Sequence, residues 1–133
     1  GAAHAIEPFK RPGKPVFKLS LAAYSLRKYL VPAAGSKDGA IDLAGFIDYS
    51  ASLRLQGAEL TSYYFPKEIT SHFLNSLKRR AQISGLSISG GAIRNDYCQR
   101  PGPKLNADIA HTKLWIDHYA DLGAPAIRVF VPM

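Results

Sequence analysis

Three glycines in this chain each stand between a helix-like stretch and a short strand-like segment. They are Gly57, Gly85 and Gly123, and the segments that follow them are 58–61, 86–89 and 126–129. Glycine accepts the left-handed backbone that closes a helix, so a short turn returns the chain to a strand beside the previous one. The pattern therefore predicts repeated strand–helix units with parallel strands.

Helix and strand signals along the 133 residues predict where these units begin and end. Residues 1–15 hold three prolines and no periodicity, which predicts an extended N-terminal arm before a single domain over 16–133. The predicted strands are 16–22, 58–61, 86–89 and 126–130, with a loop over 32–39 after the first.

The three predicted helices lie between these strands. The first begins near Asp42, whose carboxylate caps it, and runs to about Leu55. Thr70 or Ser71 caps the second helix. The third follows a long loop over 90–106, and helical spacing predicts its buried stripe. That stripe comprises Ile109, Ile116 and Ala120, flanked by Trp115, Tyr119 and Leu122.

Apolar and polar side chains alternate along every predicted strand. In the first strand, one face carries Phe17, Leu19 and Leu21, and the other carries Lys18, Ser20 and Ala22. A doubly wound sheet is covered on both faces and its inner strands are nearly continuous apolar runs, so the alternation disfavours that architecture. Right-handed connections between sequential strands place every helix on one side and leave the polar face to line a barrel.

We therefore predict an α/β fold of (βα) units with sequential parallel strands, the N-terminal half of a TIM barrel with about four strands and three helices. Lys18, Glu59 and Arg128 are expected inside, where mutual pairing offsets their desolvation. An edge sheet with a solvated polar face is the alternative. We expect a fragment of a longer protein, with a homodimer through the open sheet edges or an excised piece as alternatives.

Composition narrows the classes of partner. The net charge is +7 and the isoelectric point is near 9.7, but much of the excess lies in the arm and late in the second helix, so nucleic-acid binding is disfavoured. No apolar run approaches the roughly 18 residues that cross a bilayer, so no membrane partner is expected. The single cysteine, Cys98, fits the cytoplasm, which we favour, and export after removal of a leader stays open.

Four stretches carry a family resemblance. They are GAEL at 57–60, SISGG at 87–91, WID at 115–117 and LGAPAIRVF at 122–130. Together they resemble the N-terminal half of the sugar phosphate isomerase/epimerase family, the xylose-isomerase-like barrels related to the AP-endonuclease family 2 fold. The resemblance spans roughly residues 17–130.

The resemblance implies a small-molecule sugar substrate and, in the complete enzyme, a divalent metal (Mn, Mg, Zn or Co) that polarises a sugar carbonyl. The metal ligands of the family lie on later strands, so no metal site is expected in this chain, and we expect it to be inactive alone. Whether it belongs to an enzyme stays open. A noncatalytic carbohydrate-binding or dimeric assembly domain of the same fold is the alternative function.

Barrel enzymes place their sites at the carboxyl ends of the strands. The substrate-binding candidates there are Tyr24, Glu59, Thr61, Tyr63, Asn95, Asp96 and Arg128. The tyrosine rings would stack on a sugar while the polar groups bond its hydroxyls, and Glu59 matches the acidic residue common at the end of the family's second strand. The alternatives are packing for the tyrosines, loop capping for Asp96, and an ion pair of Glu59 with Lys18 or Arg128. No catalytic residue is assigned.

Overall fold

The computed structural model describes residues 17–30 and 40–131. The predicted arm over 1–15, Val16 and the predicted loop over 32–39 lie outside these residues. The elements in chain order are β1 (Ser20–Ala22), a 3₁₀ turn (Ala23–Leu26), α1 (Leu43–Ser52), β2 (Gly57–Thr61), a 3₁₀ turn (Ser62–Tyr64), α2 (Ser71–Ile83), β3 (Ser87–Ala92), α3 (Pro103–Leu122) and β4 (Ile127–Arg128).

The four strands form one parallel sheet in the order β1-β2-β3-β4, so the prediction of sequential parallel strands is confirmed. Helices α1, α2 and α3 bury their apolar side chains together with Ala58, Leu60 and Ile88 on one side of this sheet. This α/β arrangement of four strands and three helices is that of one half of a (βα) barrel.

Local capping signals account for the helix starts. Asp42 caps α1, because its Oδ1 accepts the Gly45 N–H at 2.7 Å, and Thr70 caps α2, because its Oγ1 accepts the Phe73 N–H at 3.1 Å. Gly85 and Gly123 have φ of 71° and 78°, the left-handed backbone predicted for them. Gly57 is different, since it is the first residue of β2 and Arg54 takes the positive φ of 55° after α1.

Both outer strands are shorter than predicted. β1 covers Ser20–Ala22, and Phe17, Lys18 and Leu19 lie before it and are exposed, so Lys18 does not lie inside the sheet's polar face. The cause is the start of β2, because the N–H groups of both Gln56 and Gly57 already donate to the Leu19 carbonyl oxygen. β4 covers Ile127–Arg128 instead of 126–130.

The third strand and third helix are longer than predicted. β3 continues through Gly90 and Gly91 to Ala92, because both glycines pair with β2, and α3 already begins at Pro103. Proline at the first helical position loses no hydrogen bond, since that N–H has no partner inside the helix. The connecting loop is therefore 93–102.

The predicted buried stripe of α3 is wrong for its three central residues, whereas the flanking Trp115, Tyr119 and Leu122 are buried. Ile109 and Ile116 are 39% and 49% exposed and Ala120 is exposed as well. The buried residues of this helix are Thr112, Trp115, Tyr119 and Leu122. Aromatic packing decides the rotation of the helix, because Trp115 and Tyr119 lie against Phe65 with ring centroids 5.1 and 6.2 Å apart.

A bulge between β2 and β3 sets which side chains reach the core. Ala58 pairs with Ile88, but Glu59 pairs with Gly90, so Ser89 is an extra residue on β3. An extra residue reverses the alternation of a strand, and Ile88 and Ile93, which are five positions apart, both belong to the core.

Gly91 leaves room for the ring of Tyr119. A Cβ at this position would lie 1.9 Å from Tyr119 Cζ, well inside contact distance. The Tyr119 hydroxyl donates to the carbonyl oxygen of Leu60, so one side chain of α3 contacts both central strands. The tyrosine is 1% exposed, and this contact fixes α3 on the sheet.

We expect Gly91→Ala to lower the free energy of unfolding by about 3 kcal/mol or more, because the added methyl group overlaps the Tyr119 ring. Urea unfolding followed by circular dichroism measures the loss. Gly45→Ala is the matched control: its added Cβ meets nothing closer than 3.4 Å, and alanine favours the helix by up to about 1 kcal/mol. Equal stabilities of the two variants would contradict the packing described.

Candidate functional site

The face of the sheet opposite the helices carries polar side chains that meet across a small residue. The hydroxyl oxygens of Ser20 on β1 and Ser89 on β3 lie 2.6 Å apart, although β2 runs between them. Gly57 makes this contact possible, since a Cβ there would lie 3.0 Å from Ser20 Oγ. This serine pair lies at the amino-terminal end of the face.

Glu59 and Arg128 form a second pair of this kind nearer the carboxyl ends. Glu59 Oε1 lies 3.8 Å from Arg128 Nη2, and the residues opposite them on the intervening β3 are Gly90 and Ala92. Small side chains on β3 leave the space in which the long ones approach. The alternative partner Lys18 is exposed and makes no ion pair with any described residue.

Two oxygen atoms on this face are buried and have no hydrogen-bond partner among residues 17–30 and 40–131. One is Glu59 Oε1, in a side chain that is 28% exposed, and its distance from Arg128 exceeds that of a hydrogen bond. The other is Thr61 Oγ1, which lies in a fully buried residue two positions further along β2. Buried polar atoms are usually paired, so these oxygens mark where an additional polar group would be favourable.

The predicted tyrosines come together at the ends of β1 and β2. Tyr24 and Tyr63 make an edge-to-face contact with ring centroids 6.2 Å apart. Two arginines that the sequence did not single out lie against these rings: the Cζ of Arg27 is 5.3 Å from the Tyr24 centroid, and that of Arg94 is 5.0 Å from the Tyr63 centroid. Arg94 directly precedes Asn95 and Arg27 follows Tyr24 by three residues, a spacing that could have indicated both.

Asn95 is used to anchor the chain after β4. Its Nδ2 donates to the Phe130 carbonyl oxygen at 2.8 Å and its Oδ1 accepts the Phe130 N–H at 2.9 Å, and the residue is 7% exposed. These two hydrogen bonds continue the pairing of β3 with β4 beyond the ends of both strands. Its predicted contact with a ligand stays a prediction, with both polar atoms of the amide already bonded.

Asp96 lies in a hydrogen-bonded loop against α3. Its Oδ1 accepts the Cys98 N–H at 3.0 Å, as in an Asx turn, and its own N–H donates to Asp108 Oδ2 at 3.3 Å. Gln99 Nε2 donates to the same Asp108 oxygen at 2.6 Å. The capping role considered for Asp96 is therefore present, and its substrate role stays a prediction.

The described residues do not assemble a metal site. No group of three or more His, Cys, Asp or Glu side chains comes together within residues 17–30 and 40–131. On the polar face of the sheet Glu59 lies near the Arg128 guanidinium, whose charge opposes a cation at that carboxylate. His111 and His118 flank the Trp115 ring on the outer face of α3, with centroids 6.3 and 5.4 Å from it.

No protein-family model matches the chain, and no curated protein matches it at a significant level. Among the described helices, none is both long and apolar enough to span a membrane.

The Tyr119 hydroxyl lies under this face and is held neutral. Burial raises its pKa well above the ordinary value of 10.0, and the nearby charge of Glu59 raises it further. A phenol whose pKa is raised on folding stabilises the protein fully below pH 10, and that stabilisation is lost as the pH rises above 10.

We expect Tyr119→Phe to reduce the alkaline loss of stability. Above pH 10 the wild-type free energy of unfolding should fall by about 1.4 kcal/mol per pH unit more steeply than that of the variant, because one proton is released on unfolding. Urea titrations at a series of alkaline pH values measure both slopes. The exposed Tyr49→Phe serves as control and should keep the wild-type slope. Parallel slopes for wild type and Tyr119→Phe would contradict the burial of this hydroxyl.

Proposed function

We propose that this chain is the N-terminal part of a metal-dependent barrel of the sugar (phosphate) isomerase/epimerase kind, in which it supplies walls of the substrate pocket. The metal ligands and the catalytic bases would then come from other strands of the barrel, so the chain alone is expected to be inactive. The family resemblance of the sequence and the half-barrel arrangement of the sheet support the proposal together.

One observation carries it: the buried Oε1 of Glu59, in the middle of β2, has no hydrogen-bond partner among the described residues and lies beside the Arg128 guanidinium. A sugar hydroxyl both donates and accepts hydrogen bonds, so a carboxylate and a guanidinium side by side satisfy both of its capacities. The guanidinium also lies 5.0 Å from the Phe130 ring, which restricts its position. Tyr63, which follows β2, adds a ring of the kind that packs on sugars.

A divalent metal would have to be held largely outside the described residues. Glu59 is a carboxylate in the middle of β2, and its neighbour is a cation rather than a second ligand. When bound elsewhere in the barrel, the metal would supply Lewis-acid polarisation of the sugar carbonyl. The part of this chain that the structure describes would bind and orient the sugar.

We expect Glu59→Gln to weaken sugar binding by about tenfold, because the substitution keeps the shape of the side chain but removes its charge. Amide-resolved NMR titrations with xylose and with fructose measure the association constant and locate the perturbed residues. The exposed Glu68→Gln, in the loop before α2, loses the same charge and should bind as wild type does. Sugar-induced shifts that avoid the ends of β2 and β4, or their complete absence, would refute the proposal.

A second candidate function is a noncatalytic carbohydrate-binding or assembly domain that works as a dimer. The observation in its favour lies at the sheet edges, since β1 and β4 each have one neighbour among the described strands. Exposed apolar side chains stand next to both edges: Phe17 and Leu19 before β1, and Val129 and Val131 after β4. Open edges of this kind pair readily with another chain.

Sedimentation equilibrium separates the two candidates. A tight symmetric dimer, lost in Leu19→Lys but kept in Ile83→Lys, would favour the assembly domain, because Ile83 is equally apolar and 75% exposed but lies at the end of α2. The barrel proposal expects a monomer or unspecific aggregation. In that case, Leu19→Lys should not change the mass of a discrete species.

A further inference from the structure

Two arginines at the carboxyl ends of the strands are held by tyrosine rings without an acidic partner among the described residues. Arg27 lies in the turn after β1, and Arg94 lies two residues after β3. Within residues 17–30 and 40–131 the ion pairs are Arg80 with Asp48 and Arg128 with Glu59. The charges of Arg27 and Arg94 are therefore not neutralised by this part of the chain.

The two arginines belong to one continuous cluster, which we name the Arg–Tyr cluster: Arg27, Tyr24, Tyr63 and Arg94. Arg27 lies over one ring, Arg94 lies over the other, and the rings contact each other at 6.2 Å. Tyr64 backs the cluster and is 8% exposed, and its pKa is raised by burial and by the neighbouring Tyr24. The cluster thus joins the ends of three strands.

Stacking of this kind prepares a guanidinium for an oxyanion. The ring face interacts with the flat face of the guanidinium, whereas the N–H donors point outward in its plane. A phosphate or carboxylate accepts two such N–H groups side by side. Because the ring also restricts the long side chain, less conformational entropy is lost when the anion binds.

Three acidic side chains among the described residues already have other contacts. Glu59 pairs with Arg128, and Asp96 and Asp108 accept hydrogen bonds from the loop that follows β3. Arg27 and Arg94 themselves supply the local positive charge that attracts an anion at this end of the sheet.

We infer that the Arg–Tyr cluster binds the oxyanion of an acidic sugar, either a phosphate or a carboxylate, next to the sugar contacts of Glu59 and Arg128. The sugar part of this inference rests on the proposed function, whereas the oxyanion part rests on the cluster alone. The tyrosine rings would pack on the sugar, and Arg27 or Arg94 would bind its charged group.

Isothermal titration calorimetry with glucose, glucose 6-phosphate, glucuronate and inorganic phosphate tests the inference. We expect glucose 6-phosphate or glucuronate to bind at least about tenfold more tightly than glucose, and Arg94→Gln or Arg27→Gln to remove that advantage. The stronger of the two acidic sugars identifies the oxyanion. Arg79→Gln is the matched control, because this exposed arginine lies late in α2, at the opposite end of the sheet.

Equal binding of neutral and acidic sugars, or equal losses in Arg79→Gln and Arg94→Gln, would overturn the inference. Inorganic phosphate separates it from the proposed function: phosphate binding that depends on Arg94, without any sugar binding, keeps the anion site and refutes the sugar pocket. Sugar binding that depends on Glu59, without any preference for acidic sugars, keeps the sugar pocket and refutes the anion site. If a single-stranded oligonucleotide binds more tightly, with the same dependence on Arg27 and Arg94, the ligand of the cluster is a nucleic acid and not an acidic sugar.

Discussion

The bulge that Ser89 introduces into β3 is the constraint on which the two faces of the sheet depend. Before it, Ile88 pairs with Ala58 and faces the helices, and after it Gly90 pairs with Glu59. Strict alternation would send Ile93 to the polar face, where it would lie among the charged side chains. The extra residue instead places Gly91 under Tyr119 and keeps small residues opposite Glu59 and Arg128. The single bulge thus determines both which side chains pack in the core and which polar side chains can approach each other on the opposite face.

Small residues on the middle strands then decide which polar groups meet. Ser20 and Ser89 meet over Gly57, while Glu59 and Arg128 meet across β3. Neighbouring strands lie about 4.8 Å apart, so residues two strands apart touch only where nothing stands between them. The positions of the glycines in the sequence therefore determine the polar contacts of this face as much as the polar residues do.

The sequence predicted what depends on local signals or on alternation. Asp42 and Thr70 cap their helices, Gly123 ends α3, and the alternation of 58–61 gives the sheet one apolar and one polar face. Features decided by partners distant in the chain were not predictable in this way. The face of α3 is an example, because aliphatic residues lie on several sides of the helix, and contacts with Phe65 and with the sheet select Trp115 and Tyr119.

The same distinction holds for the candidate site. Topology predicted that Tyr24 and Tyr63 would lie together, because the carboxyl ends of parallel strands share one edge. It did not predict that Asn95 would bond the backbone of Phe130, since that contact depends on how β4 ends. Nor did it predict that Arg94 would lie against Tyr63, although its position directly before Asn95 places it near the strand ends.

Charge is divided unevenly over the candidate site, and the division has a chemical consequence. At its centre the charges of Glu59 and Arg128 offset each other, so a neutral polar group binds there without leaving an unpaired charge desolvated. At its rim Arg27 and Arg94 are stacked on rings and are exposed to solvent, so an anion loses less hydration there than it would in the interior. A ligand with a hydroxylated body and one charged end matches both environments at once. A neutral sugar would use the centre alone, and a bare anion the rim alone.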